Sequence, residues 1–283
     1  MNRTEPQRPA GRRRADGPDN GVGDLSLSLD ISGVLADWDF QPDDLQVRLI
    51  VGDDGRDRIQ MRVDLGVLQM ECDGRPDGRR PFGFESLLEH HEDRRREAVE
   101  TGDDSTIDPP ACAGLMREGL QYYHRYLAAF HLQLYDMVAR DTERNLRLFT
   151  FVSRYAARNR DKIEFDQYRP YVTMMNVRAL ALKAQGRGEA RSALERIDEG
   201  IRRIREFLHE YNQADRESEC AELNFLLRWR ADVDRELPKE PLVRLEDELK
   251  VAVSRESYED AARLRDEIRG LHARREADRQ APG

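Results

Sequence analysis

The spacing of apolar residues between positions 85 and 237 constrains this chain most, because they recur every three or four positions. That period places apolar side chains on one face of an α-helix, whereas a half-buried β-strand alternates with a period of two. The successive stripes are Tyr123-Tyr126-Phe130-Leu134-Met137, Leu146-Phe149-Val152, Met174-Val177-Leu180-Ala181, Ala193-Ile197-Ile201-Ile204-Leu208 and Leu223-Leu226-Leu227-Trp229. We therefore predict an α-helical bundle over 85–237.

Proline and glycine divide this helical region. Asp108-Pro109-Pro110 predicts a break, after which helices resume near Gly114. Pro170 is expected in the first turn of its helix, and Gln185-Gly186-Arg187-Gly188 predicts a turn between two antiparallel helices. Pro238 and Pro241 predict a linker that separates the bundle from the segment after it.

The region 25–84 has a different period and predicts a small β-structure. Val47, Leu49 and Val51 alternate with polar residues, as do Ile59, Met61 and Val63, on either side of an Asp-Gly turn. This is the pattern of a β-hairpin. We expect its second strand to continue toward Glu71 with a bend at Gly66, and the segment 25–40 is compatible with either a strand or a short helix.

Composition limits the classes of protein to which the chain can belong. It carries 47 basic and 56 acidic residues, so its net charge of −9 favours weak, salt-sensitive DNA binding at most. No apolar run approaches the roughly 18 residues of a membrane span. Three widely spaced cysteines fit the reduced thiols of a cytoplasmic protein. Residues 1–24 and 276–283 are expected to be polar tails, the first disordered despite its Arg12-Arg13-Arg14 run.

Sequence motifs for catalysis are missing, so we expect no enzyme activity, no cofactor and no metal. No phosphate-binding loop, dinucleotide fingerprint, nucleophile elbow or zinc-protease motif occurs. His90 and His91 are adjacent and would point to different faces of a helix, which disfavours a metal site there. The Asp73–Gly78 turn is compatible with ligand binding, but turn chemistry alone explains its Gly, Pro and Asp residues.

Two stretches in the bundle are similar to each other. Asp141–Leu146 and Arg196–Ile201 each close the second helix of a predicted helix pair, with a separation of 55 residues. The second pair, 179–204, resembles a tetratricopeptide repeat through its Gln-Gly-Arg-Gly turn, although such repeats have a period of about 34 residues. An ordinary antiparallel bundle is the alternative, and both imply stacked helix pairs with a surface for a partner.

The segment 240–275 predicts a helical hairpin. Leu242, Leu245, Leu249 and Ala252 lie on one side of its first helix, and Tyr258, Ala261, Leu264, Ile268 and Leu271 lie on one side of its second. Ser257 and Asp260 have the spacing of a capping box, and the small pair Ala261-Ala262 allows the helices to approach closely. A hairpin of this size buries little apolar surface by itself, so we expect it to dock on something.

The same segment resembles a UVR motif, the hairpin found in the UvrB and UvrC components of the excinuclease. The resemblance lies in Glu256-Ser257-Tyr258-Glu259 followed by Ala261-Ala262-Arg263-Leu264-Arg265-Asp266-Glu267-Ile268; Ser257 stands where the family has an acidic residue. In the excinuclease, the motif of one component docks on that of the other. Similar motifs serve protein contacts in Clp ATPases and in the activator of a protein arginine kinase. The resemblance therefore implies protein association.

Two functions from different classes follow. The first is a non-enzymatic adaptor whose hairpin docks another protein, which could be UVR-bearing, or a second copy. The second is an accessory factor of nucleotide excision repair, recruited to UvrB or UvrC of the excinuclease; an enzyme of unrecognised type is the remaining alternative.

The predicted contact residues are Leu249, Tyr258, Ala262 and Leu264, with Arg265 and Asp266 supplying charged specificity at the edge. Overall we expect a mostly α protein with a small N-terminal β-hairpin region, stacked tetratricopeptide-like helix pairs and a C-terminal UVR hairpin.

Overall fold

A computed structural model of the protein describes residues 30–102, 106–236 and 241–280, without the side chains of 241–244 and 272–280. The tail predicted at 1–24, the linker residues 237–240 and the side chain of Leu242 lie outside the described residues. The chain divides after Asp39 into two units. In the first, the described residues form a one-turn helix, α1 (Ser32–Leu35), so the helical alternative is correct there. The Asp30 carboxylate accepts hydrogen bonds from the backbone N and the Oγ of Ser32, at 2.9 and 2.7 Å.

The second unit begins with a three-stranded antiparallel sheet in the order β1-β2-β3. Its strands are β1 (Val47–Val51), β2 (Asp57–Val63) and β3 (Gly66–Glu71). The predicted hairpin is confirmed in register, since Val47 pairs with Met61 and Leu49 with Ile59. The predicted continuation of the second strand to Glu71 is wrong, because the chain reverses at Asp64-Leu65 and Val63 pairs with Gly66. Arg62 stabilises this turn by donating to the carbonyls of Val63, Asp64 and Gly66.

Helices make up most of the remaining described residues. They are α2 (Leu87–Thr101), α3 (Pro109–His131), α4 (Tyr135–Tyr155), α5 (Asn159–Asp166), α6 (Arg169–Gly186), α7 (Ala190–Glu210), α8 (Ala221–Glu236), α9 (Pro241–Ser254) and α10 (Tyr258–Gln280). Two 3₁₀ segments lie at Pro81–Gly83 and Ala214–Glu219. Helix α10 therefore runs through residues 276–280, which the sequence assigned to a tail.

The first helix boundary in the bundle differs from the sequence prediction. Helix α3 begins at Pro109 rather than near Gly114, because Asp108 caps it: the Asp108 side chain accepts a hydrogen bond from the backbone N of Ala111 at 2.9 Å. Proline at the first helical position lacks only an N–H that would have no partner within the helix. The predicted break is therefore present between α2 and α3, and it ends at Asp108, with both prolines already in the helix.

The stripe from Tyr123 to Met137 does not lie on one helix, as its spacing predicted. Helix α3 ends at His131, Gln133 adopts a left-handed conformation with φ of 59°, and α4 starts at Tyr135. The backbone N of Leu134 donates to the carbonyl of Ala129 at 2.8 Å, which closes the turn. No glycine or proline marks this reversal, so the apolar spacing continues across it.

The bundle consists of stacked antiparallel helix pairs, as predicted. Helix α6 packs against α4 and α7, and α7 packs against α8. Gly188, with φ of 75°, closes the predicted turn between α6 and α7. One hydrophobic core joins α3, α4, α6, α7 and α8 to the sheet residues Ile59, Met61 and Met70. A second core lies among α2, α3, α4, α5 and α6 and includes Leu115, Phe149 and Phe165.

Gly200 in α7 provides a test of this packing. A Cβ atom at Gly200 would lie 2.5 Å from Cγ2 of Val177 in α6 and 3.1 Å from Cδ1 of Leu226 in α8. Valine is stiff about χ1, so we expect Gly200→Ala to destabilise the bundle by about 1–3 kcal/mol. Thermal and denaturant unfolding would measure this.

Gly186→Ala is the matched control, because a Cβ at Gly186 would meet no described neighbour within 4 Å. We expect that variant to be neutral or more stable by up to about 1 kcal/mol. Equal stability of the two variants would show that α6, α7 and α8 do not approach so closely.

Candidate functional site

The C-terminal hairpin has its own small hydrophobic core. Leu245 and Ala252 of α9 and Ala261 and Leu264 of α10 are buried against one another, with Leu249, Ile268 and Leu271 partly buried around them. Among the described side chains, this cluster contains residues of α9 and α10 alone. Of the small pair predicted to allow close approach, Ala261 lies in this core, whereas Ala262 is exposed and does not.

A tight turn joins the two helices of the hairpin. The backbone N of Ser257 donates to the carbonyl of Ala252 at 2.9 Å, and Glu256 takes a left-handed conformation with φ of 60°. The backbone N of Ala261 then donates to the carbonyl of Ser257 at 3.0 Å, the first helical bond of α10. The turn thereby places Tyr258 at the first position of α10.

The predicted contact residues fall into two groups. Leu264 is only 4% exposed and belongs to the core of the hairpin, which Leu249 also contacts. Tyr258, in contrast, is 70% exposed, so its predicted place on the buried stripe of α10 is wrong. Ala262, Arg265 and Asp266 are exposed as well. The structure therefore separates residues that hold the hairpin together from residues that a partner can reach.

The exposed group forms a continuous face of α10. Tyr258, Ala262, Arg265 and Asp266 follow the spacing i, i+4, i+7 and i+8, which places them on one side of a helix. Arg265 forms no ion pair with any other described residue, whereas Asp266 lies 3.6 Å from Arg269. This outer face offers an aromatic ring, a small residue that permits close approach, and a guanidinium with unused donors.

Two valines near the turn are also exposed and were not predicted from the sequence. Val251 and Val253 are 47% and 46% exposed, on either side of the buried Ala252 at the end of α9. The sequence did indicate their exposure, because residues one position to each side of a buried helical residue point away from the core. The turn end of the hairpin is therefore apolar on α9 and aromatic on α10.

The Asp73–Gly78 turn lies elsewhere and is held by arginines. Nη1 of Arg125 donates to the carbonyls of Glu71 and Gly74, both at 2.8 Å. Arg140 donates to the Cys72 carbonyl at 2.7 Å and to the Asp73 carboxylate at 3.1 Å. These bonds fix the path of the backbone from β3 into the turn and give its Asp-Gly residues a structural role.

Buried ion pairs connect this turn to the helices. Nε and Nη2 of Arg125 in α3 donate to the Asp141 carboxylate in α4 at 2.6 and 2.8 Å, and both side chains are 1% exposed. Glu118 pairs with Arg144, and burial lowers the pKa of that guanidinium while Glu118 opposes the shift. The Glu118 carboxylate also accepts from the backbone N of Leu87 at 2.7 Å, at the N-terminus of α2.

The residues considered for a metal site make other contacts. The ring of His90 stacks on that of Phe82, with 4.2 Å between centroids, and Glu92 binds Arg147 at 3.1 Å. Among the described residues, no group of three or more His, Cys, Asp or Glu side chains is placed to hold a metal ion. Nor does any helix in the described ranges have the length and apolar character needed to cross a membrane.

Comparison with known families identifies the hairpin. A family model described as the UvrB/uvrC motif, UVR, matches residues 239–274. No curated protein and no solved structure matches the chain. The chain therefore carries a UVR motif, as the residues around Tyr258 indicated, and this motif coincides with α9 and most of α10. A UVR motif implies protein–protein interaction in general.

Proposed function

We propose that the protein is a non-enzymatic adaptor whose UVR hairpin docks a partner protein through the outer face of α10 and the adjoining turn. The observation that carries this proposal is the 70% exposure of Tyr258 within the matched motif. A large aromatic side chain at that position contributes little to the hairpin core. It is, however, the type of residue in which interface energy concentrates.

The charge of the face supports recognition of a partner rather than of nucleic acid. Asp266 lies beside Arg265 and 3.6 Å from Arg269, so a negative charge interrupts the cations that a phosphate backbone would bind. Opposite charges at the rim of an apolar contact favour one orientation of the partner. A second copy of the hairpin, or another UVR hairpin, would present similar features.

An accessory role in nucleotide excision repair is the second candidate. The match to the UvrB/uvrC motif favours it, because that motif is named after components of the excinuclease. The two candidates differ in the identity of the partner. Binding to purified UvrB or UvrC supports the repair role, whereas binding to a Clp-type ATPase or a protein kinase supports a general adaptor.

We expect Tyr258→Ala to weaken binding to the partner by about 5- to 150-fold, which corresponds to 1–3 kcal/mol. Isothermal titration of the full-length protein against each purified candidate, including a second copy, would measure the affinity. Ala262→Glu should weaken binding at least as much, because it adds charge and bulk to the middle of the face. Neither change removes a residue of the hairpin core.

Tyr258→Phe and Tyr168→Ala are the matched controls for this experiment. The first retains the ring at the turn, and the second removes a tyrosine of the bundle that is 49% exposed. Both should bind the partner within about threefold of the unmodified protein, a difference of less than 1 kcal/mol. Unchanged binding by Tyr258→Ala and Ala262→Glu would contradict the assignment of this face.

A further inference from the structure

A tyrosine-lined cavity opens in the bundle, away from the residues of the UVR hairpin. It has a volume of about 560 Å³ and lies among α3, α4, α5 and α6. Four tyrosines line it, Tyr123, Tyr126, Tyr168 and Tyr171, together with Phe149 and Glu164. This volume lies within the range of sites that take small molecules, which are mostly apolar with a few polar groups.

The rings of three tyrosines form one wall of this cavity. Tyr123 meets Tyr126 edge to face, with 5.5 Å between centroids and 90° between planes. Tyr123 also lies 6.4 Å from Tyr171, with an angle of 54° between the rings. Burial raises the pKa of Tyr126 and of Tyr171, so both hydroxyls stay neutral at physiological pH. The three rings therefore pack against one another and give the cavity a continuous aromatic wall.

The charge of the lining is negative. Glu164 is the one charged residue among the lining side chains, and no lysine, arginine or histidine is present there. Glu164 is exposed and forms no ion pair with a described residue, although its charge helps to raise the pKa of Arg158. The faces of aromatic rings also carry negative charge, which attracts cations. Both features favour a positively charged ligand over a neutral or anionic one.

The mouth of the cavity is accessible from solvent. Tyr168 is 49% exposed and Leu120 is 50% exposed, and Glu164 lies in α5, four residues before Tyr168. The floor is made by buried residues, including Gly119, where a Cβ atom would approach Cδ2 of Leu148 to 3.0 Å. A ligand can therefore enter past Tyr168 and place its apolar part on a closed floor.

We propose that this cavity binds a small organic cation with an apolar body, of the quaternary ammonium type. Its apolar part would contact the floor at Leu148 and Phe149, and its charge would lie among the tyrosine rings with Glu164 at the rim. Aromatic cages recognise quaternary ammonium groups in this way. This site is independent of the UVR hairpin, so either proposal can fail without the other.

Benzyltrimethylammonium is the probe, and neopentylbenzene is its neutral counterpart of the same shape. We expect titration calorimetry with the full-length protein to show the cation binding about 2- to 30-fold more tightly than the neutral molecule, the range given by one cation–aromatic interaction. Glu164→Gln should weaken binding of the cation while leaving the neutral molecule unaffected. Tyr168→Ala should weaken the cation severalfold, and Tyr168→Phe should restore it, because the ring and not the hydroxyl is needed.

Tyr258→Ala, which lies in the hairpin, serves as the control and should bind the probe unchanged. Equal binding of the charged and neutral molecules would overturn the proposal and leave an apolar pocket without charge selectivity. Absence of binding at millimolar concentrations of the cation would overturn it as well. A loss of binding in Tyr168→Phe equal to that in Tyr168→Ala would assign recognition to the hydroxyl and contradict the role of the ring.

Discussion

Asp141→Asn is expected to destabilise the protein by about 3–5 kcal/mol, the largest effect of a single conservative change in the bundle. The substitution keeps the shape of the side chain but leaves the guanidinium of Arg125 buried without its counterion. A buried charge that loses its partner retains the full cost of its desolvation. Denaturant unfolding followed by circular dichroism would measure the loss.

Glu199→Gln is the matched control for this prediction. Glu199 also pairs with an arginine, Arg202 at 2.6 Å, but both side chains are about half exposed on α7. Exposed ion pairs contribute at most about 1 kcal/mol, so this variant should unfold nearly like the unmodified protein. Similar losses in the two variants would contradict the special role of the buried pair.

A double variant distinguishes the charge from the shape of the site. Arg125→Met with Asp141→Leu removes both charges, and replacing a buried pair by apolar residues is often close to neutral. In this protein we expect the double variant to regain only part of the lost stability, because the carbonyls of Glu71 and Gly74 lose the hydrogen-bond donor supplied by Arg125. Full recovery would show that the turn at Asp73–Gly78 does not depend on these hydrogen bonds.

The sequence predicted the helices of the bundle well because their apolar residues are periodic. It did not predict the buried ion pairs, since no local pattern shows with which carboxylate a buried arginine pairs. Arg125 did carry a signal, because it lies three residues after Tyr122 and four before Ala129, on the same helix face. A charged residue that is fully buried is almost always paired, so an arginine within an apolar stripe predicts a partner. The partner of Arg125 is Asp141 on the next helix, and only the tertiary packing of α3 on α4 brings the two side chains together.

Helix ends were predicted less well than helices, for a related reason. The chain reverses at Gln133, which adopts a left-handed backbone conformation, and no glycine or proline marks the site. The apolar spacing continues across this turn and therefore did not predict it. In the hairpin, periodicity identified most of the stripe, including Leu245, Ala261 and Leu264. It misplaced Tyr258, because the first residue of a helix can point outward even when its spacing matches the stripe. Ring exposure at a helix start depends on the preceding turn, which in this protein bends at Glu256.

The second large effect is expected in the hairpin, where Leu264→Ala should unfold α9 and α10 while the bundle stays folded. Removing a buried leucine side chain costs about 2–5 kcal/mol. A core as small as that formed by Leu245, Ala252, Ala261 and Leu264 rarely supplies more than about 3–5 kcal/mol. The loss is therefore comparable with the whole stability of the hairpin. The separate core of the bundle does not contain Leu264.

Hydrogen exchange measured by mass spectrometry would resolve the two regions. In Leu264→Ala, amides of residues 245–271 should lose protection, whereas those of α7, where Ile197 and Ile204 are buried, should keep it. Arg265→Ala is the control, because it changes the next residue, which is exposed, to a good helix former. It should leave protection of the hairpin unchanged.

Comparison of Leu264→Ala with Tyr258→Ala separates folding of the hairpin from recognition of the partner. Both variants should bind the partner poorly, but only Leu264→Ala should lose protection in α9 and α10. Tyr258→Ala should keep protection, because its side chain lies outside the core. If Leu264→Ala kept its protection and still lost the partner, Leu264 would contact the partner directly, as the sequence predicted. The hairpin would then have to open on binding, because Leu264 is buried between its two helices.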